Sequence, residues 1–421
     1  GGVNEMAQLT PTKQPTAVPI SKEVAKSRPY LKGQFNVENA PPAKLPQQKA
    51  ARKVLEKLPF PGNKDEPWRK TNIGKLQLEE LVLADSLQIE LSDAPEGVTF
   101  MRLQDALEQM PGLLAEQFNT LVPEDADKFA ALATGYAQDG FVLVVPKRMR
   151  SEQPLNAVIR APQDGTIQNS QLLVMIEEGA SAVLHLAFVT GDGEQPALTN
   201  VNFEIHVANN AQFHLVQRQE LGAETWHFSH EKASVGADAM LDWVYFTFGT
   251  KLTKSFVEVS LDGKGCDARL NGLAITNNNQ HIDLDTQQNH MAPITFSDLS
   301  FKTALLGTSR SVWQGMIYVD PGAYQTDGYQ SSRNMVLDSR AHADAIPGLE
   351  IKTDDVRCSH GATISQIDEE QIFYLKSRGL DEAAAREMIV NGFFQDIVDK
   401  VRDEDLRVEL EETIHTQLQR E

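Results

Sequence analysis

The chain has 421 residues, 41% of them hydrophobic, and a formal net charge of −20. That length exceeds one ordinary compact core and leaves room for two or three domains. The acidic field repels a phosphate backbone, which argues against nucleic acid as a partner.

Two cysteines, Cys266 and Cys358, are too few for a disulfide framework or for a zinc site made of thiolates alone. No run approaches the roughly 18 apolar residues that a membrane helix needs. The longest, Phe141 to Val145, is strand-length and stops at Pro146, so no membrane span is expected. No apolar stretch follows a basic start, so no secretory signal is read and the cytoplasm is the expected location.

Residues 1–140 open with a proline-studded lead: Pro11, Pro15, Pro19, Pro29, Pro41, Pro42 and Pro46. Each proline removes a donor and clashes with the preceding turn, so this lead cannot be one long helix. Leu103, Leu107, Met110 and Leu114 then recur at helical steps, as do Phe129, Leu132 and Tyr136. The region reads as mainly helical, with short strands around Leu81-Val82 and Leu87 to Ile89.

Residues 141–362 change period. Leu172 to Ile176, Val183 to Phe188, Val201 to Val207, Phe213 to Gln217, Leu241 to Phe248 and Phe256 to Leu261 alternate as strands do. Helical patterns between them are missing, which argues against a doubly wound α/β fold. A weak repeat runs through this stretch: strand, polar turn, small residue, strand. Ala180, Ala211, Ala237 and Cys266 are read as its equivalent positions, giving coils in the twenties to low thirties of residues, as in a parallel β-solenoid. A β-sandwich would also give strands, but would not require the turn to recur in register.

Residues 363–421 return to helices. Asp368 is read as an N-cap with Gln371 three residues on, Gly379 as the C-terminal stop, and Asp381 as the next N-cap. The following stripe is Ile389, Phe393, Ile397 and Val401, widened by Val390, Phe394 and Val398. One face of it is expected to cover the solenoid end, leaving the other, with Phe394, for a partner. Leu406, Leu410, Ile414 and Leu418 mark a last helix.

Enzyme signatures are absent. There is no GxxxxGK followed by Ser or Thr, no GxGxxG after a strand, no HExxH and no CxxC. His185, His206, His214, His227 and His230 sit on alternating strands without a carboxylate at ligand spacing and read as structural. Asp354 and Asp355 are adjacent, so on a strand they face opposite ways and cannot form the carboxylate pair of a carbohydrate-active β-helix. Cys358 and His360 are two apart, so an extended strand turns both to one side, a soft and metal-competent edge. By itself Cys-x-His is also what a buried cysteine beside a surface histidine would look like.

The run from Asp354 to Thr363 continues as ISQIDEEQIFYLKSRGL and then AREMIVNGF. This succession resembles the C-terminal signature of the SufB/SufD family of iron–sulfur cluster assembly proteins. PWRKTNIGKL (Pro67 to Leu76) and YQTDGYQSSRNMVL (Tyr324 to Leu337) are similar to an N-terminal element and late rungs of the same family. The resemblance implies a mainly β protein: a right-handed parallel β-helix flanked by N- and C-terminal α-helical regions. It implies a non-catalytic scaffold subunit that pairs with a SufB-like paralogue and docks a SufC-like ABC ATPase, without binding nucleotide itself. His360 matches a family histidine at the subunit junction where a nascent iron–sulfur cluster forms, with Cys358 as the weaker second ligand. Ile389, Phe393, Phe394 and Ile397 fall where the ATPase docks, and an isolated chain is expected to pair with itself. SufB proteins usually carry Glu after the histidine and a late-rung cysteine. Here the position is Gly361, and Tyr324 to Asp355 holds no cysteine. Both departures point to the branch that pairs with SufB. The alternatives are a SufB-like scaffold that assembles a cluster alone and a carbohydrate-active β-helix enzyme.

Overall fold

The computed structural model describes residues 28–151, 153–161, 164–190 and 194–419; Pro11, Pro15 and Pro19 of the lead lie outside them. The elements run α1 (Pro46–Leu55), β1 (Val82–Leu83), β2 (Gln88–Leu91), β3 (Thr99–Arg102), α2 (Leu103–Gln109), α3 (Pro111–Gln117) and α4 (Lys128–Gly135). Then come β4 (Asp139–Val145), β5 (Leu155–Arg160), β6 (Thr166–Ile176), β7 (Ser181–Val189), β8 (Ala197–Val207), β9 (Gln212–Leu221), β10 (Thr225–Val235), β11 (Met240–Gly249) and β12 (Leu252–Leu261). The series continues with β13 (Asp267–Thr276), β14 (His281–His290), β15 (Phe296–Leu305), β16 (Arg310–Val319), β17 (Thr326–Val336), β18 (His342–Ile351) and β19 (Val356–Gln366). It closes on α5 (Glu369–Ser377), α6 (Glu382–Val398) and α7 (Glu404–Gln419).

From β4 onward the strands alternate between two sheets and pair in parallel with the strand two further on. A ten-stranded sheet runs β18-β16-β14-β12-β10-β8-β6-β4-β3 with β1 beside β6, and a nine-stranded sheet runs β19-β17-β15-β13-β11-β9-β7-β5-β2. The result is a parallel β-solenoid of about eight turns. A two-residue period explains both faces of a strand at once. On β11, Leu241, Trp243 and Tyr245 join the core between the sheets, while Val244, Phe246 and Phe248 pack outward under the C-terminal helices.

The repeating corner has a backbone cause. Gly179, Asn210, Asp238, Gly265, Ile294 and Gln325 all have positive φ, and each donates its N–H to a carbonyl of the next coil. Gly, Asn and Asp reach that region at low cost; Ile294, β-branched, does not. The residue after each of the first four is small and buried: Ala180, Ala211, Ala239 and Cys266. The register pairs Met240 with both Gln212 and Asp267, so Ala239, not Ala237, is the equivalent corner. Both are alanines two apart in one polar turn, and only the strand register separates them.

The two flanking regions lie on opposite sides; the N-terminal one is not mainly helical as read, since α1 to α4 are short and set among irregular stretches that its many prolines favour. Residues 31–83 and α4 cover the outer face of the ten-stranded sheet through Trp68 and Phe129 against Phe228 and Phe256. Helices α6 and α7 cover the outer face of the nine-stranded sheet through Val390, Phe394, Ile397, Leu410 and Ile414. The first coil is closed by antiparallel β3 on β4 and β2 on β5. The sequence places the C-terminal helices over the last coil. Instead they lie along the side, because β9, β11, β13 and β15 offer a wider apolar surface there than the final strands do. Strand β19 is left largely exposed and β18 only partly covered. No helix among the described residues is long and apolar enough to cross a membrane.

Candidate functional site

Strand β19 pairs with β17 so that Gly328 faces Cys358 and Gln330 faces His360. Cys358 packs beside Ile317 and Val319, which places its side of the strand toward the solenoid interior. One coil back, Gln330 is fully buried and donates its amide to Gly348 O at 2.9 Å. With no further coil above it among the described residues, His360 is exposed and Cys358 only half-buried. Thus both side chains stand on one side of the terminal strand at the open mouth of the solenoid, as their spacing suggests.

Beneath them lies a buried polar set. His290 takes Thr295 Oγ1 at 2.7 Å on Nδ1 and Ser297 Oγ at 2.8 Å on Nε2. Burial pushes its pKa down to about 4, so the ring is neutral at pH 7. A Cβ on Gly328 would stand 3.2 Å from His290 Nε2 and 3.5 Å from Cys358 Sγ. The glycine therefore keeps the thiol and the imidazole from being wedged apart. Burial, with the nearby Asp327 carboxylate, holds the Cys358 thiol above its usual range. Among the described residues no three His, Cys, Asp or Glu side chains come together as a metal site. Cys358 and His360 supply at most two soft donors from this chain.

Two of the histidines read as structural do have carboxylate partners, but from other coils or elements. His214 meets Asp242 at 3.0 Å, and His230 meets Asp127 at 3.0 Å while stacking on Phe256. Spacing along one strand could not reveal them.

Caps fix the C-terminal helices as read. Asp368 accepts from the backbone of Glu370 and Gln371, Gly379 has φ +98, and Asp381 accepts from Ala384 N–H. The partner stripe needs correction. Phe394 and Ile397 are 0% and 1% exposed, packed into the solenoid flank, while Ile389 and Phe393 are half-buried. Lys302 Nζ pins this contact by donating to Phe393 O at 2.8 Å and to Asp396 at 2.6 Å. The exposed apolar surface lies elsewhere: Phe373 and Tyr374 on α5 and Met388 on α6. Two adjacent aromatics, Phe373 and Tyr374, on a short and otherwise polar helix were the available signal.

Fold and site define a parallel β-solenoid whose metal-competent side chains stand at an uncovered end. Residues 158–393 match the family model for the SUF system FeS cluster assembly SufBD core domain, and residues 79–157 match that for the SufBD protein N-terminal region. The chain belongs to the SufBD family of the SUF iron–sulfur cluster assembly system. It is 29% identical over 376 residues to an iron–sulfur cluster assembly SufBD family protein of Mycobacterium leprae, covering 86% of this chain and 92% of that one. A Mycobacterium tuberculosis SufBD family protein is 31% identical over 301 residues, 70% of this chain and 75% of that one. The iron–sulfur cluster assembly protein SufD of Escherichia coli is 29% identical over 333 residues, 78% and 76% of the two chains. Members of this family are scaffold components of iron–sulfur assembly.

Proposed function

We propose that this chain is a SufD-like subunit that completes a cluster-assembly interface with a SufB-like partner. The observation that carries this reading is the uncovered last coil with His360 exposed on it. Two donors cannot hold an iron–sulfur cluster, so the nascent cluster, here a cargo, would take its remaining ligands from the partner. His360 is the principal ligand and Cys358 the second. The raised thiol pKa makes Cys358 a poorer donor until iron displaces its proton. Exposed Ile346, Ile351 and Ile364 give the edge an apolar share, and a bare strand edge invites pairing. The same edge would let the isolated chain pair with itself.

Gly361 after the histidine and the lack of a cysteine between Tyr324 and Asp355 favour the SufD-like over the SufB-like role. A SufC-like ATPase docks on the C-terminal helices through Phe373, Tyr374 and Met388, with Phe393 and Ile389 at the rim. Helices α5, α6 and α7 then act as the lever on which the ATPase pulls, and this chain hydrolyses nothing. Co-expression with SufB-like and SufC-like proteins tests the reading. Both should be retained by the wild-type chain, and Ile364→Lys should release only the SufB-like one. Retention of neither by the wild-type chain would refute it.

A further inference from the structure

The PWRKT segment, residues 67–71, crosses the outer face of the ten-stranded sheet from its middle to its last strand. Trp68 rests on Phe228 of β10 and Phe256 of β12, with ring centroids 5.7 and 5.9 Å away. Lys254 of β12, 0% exposed, donates to Pro67 O and pairs with Asp283 and Asp285 of β14 at 3.0 Å each. Thr71 donates its hydroxyl to Asp283 and lies 3.1 Å from His281 Nε2. Gln314 of β16 donates to Pro67 O at 3.4 Å. Finally, Lys70 Nζ reaches Asp344 of β18 at 3.3 Å, where Arg310 of β16 also pairs at 2.8 Å.

Asp344 is on the strand that ends the sheet. Among the described residues, β18 is hydrogen-bonded to β16 on one side and to no strand of its sheet on the other. An end strand is the least protected part of a solenoid, because only one neighbour opposes its fraying. The segment that touches it is itself anchored by an ion pair removed from water, so the anchor is costly to break. We propose that Pro67–Thr71 is a brace that positions β18 and thereby pre-organises the open edge, the edge on which the proposed partner contact rests. A pre-ordered edge spares the complex the entropy of ordering it on binding.

Hydrogen exchange on the full chain tests the brace without any partner. Lys70→Ala cuts the link to β18, and Asp344→Asn removes its acceptor charge. Amides of β18 should exchange about 1.5- to 5-fold faster in either variant, the range a partly exposed ion pair supports, while those of β10 and β12 hold their rates. Lys70→Arg should restore protection. Thr71→Val, which loosens the anchor, should act in the same direction as Lys70→Ala. Affinity for the SufB-like partner should fall by a similar factor with the melting temperature nearly unchanged. Unaltered β18 exchange in Lys70→Ala and Asp344→Asn overturns the brace, whatever the partner does. A wild-type chain that binds no SufB-like protein overturns the functional reading and leaves the exchange result to judge the brace alone.

Discussion

Gln330 and His360 are register partners on the last two strands of the nine-stranded sheet, and the first is fully buried while the second is exposed. The difference is one missing coil. His360→Ala should therefore change stability by no more than about 0.5 kcal/mol, since it opens no cavity and strands no buried charge. Cys358→Ala, half-buried, should cost less than about 1.5 kcal/mol. Thermal midpoints of the two variants check both statements.

Phe394 and Phe373 should respond oppositely to the same change. Phe394→Asp puts a carboxylate into the contact between α6 and the solenoid flank, at a cost of at least roughly 3–5 kcal/mol, the scale for losing a buried Phe. Phe373 is 75% exposed, so Phe373→Asp should leave the melting temperature within a degree or so on the scale of surface changes. It should instead weaken capture of the ATPase. Normal capture by Phe373→Asp would move the docking surface off α5.

Acid should destabilise the chain. Burial lowers His206 to about 4 and His227 and His281 to about 3, from an ordinary 6.5. Below 6.5 the unfolded chain takes up protons that the folded chain refuses, so stability falls as pH drops from 6.5 toward 4 and 3. Glu204 opposes this. Its carboxylate accepts backbone N–H groups of Asn119, Leu121 and Val122, yet burial raises it to about 7. It contributes most below 4.5 and less as pH rises to 7. Melting temperature against pH should slope downward on acidification, more shallowly in His227→Gln and more steeply in Glu204→Gln. A His227→Gln profile no shallower than that of the wild type would contradict the burial of this histidine.

Ile294 holds φ +59 at a solenoid corner with its side chain 43% exposed. A β-branched residue is strained there, and Asn is not. Ile294→Asn should stabilise the chain by about 1 kcal/mol, read as a higher denaturant midpoint at unchanged slope.

The strand alternation, the corner turn and the helix caps could be read from sequence because each is a local rule of backbone geometry. Asp368, Gly379 and Asp381 act where their residue types said. What failed was non-local. Helix α6 is apolar on more than one side, from Val390 and Phe394 to Ile389 and Phe393, so periodicity could not say which side meets the solenoid. The choice was made by Val244, Phe246 and Phe248, outward residues of a strand about 150 positions earlier. The corner at Ala239 was misplaced to Ala237 for a similar reason: register belongs to a pair of strands. Cys358 and His360 were legible as one face of a strand, but that this face lies at an open end depends on where the helices go.

Anaerobic reconstitution with iron and sulfide in the presence of a SufB-like partner tests the central claim most directly. The wild-type pair should hold a cluster, and the His360→Ala pair should form just as well, retain its melting temperature and hold little, with Cys358→Ala between them. A His360→Ala pair that assembles and carries the wild-type cluster content would contradict the account, leaving this chain a structural partner without a ligand of its own.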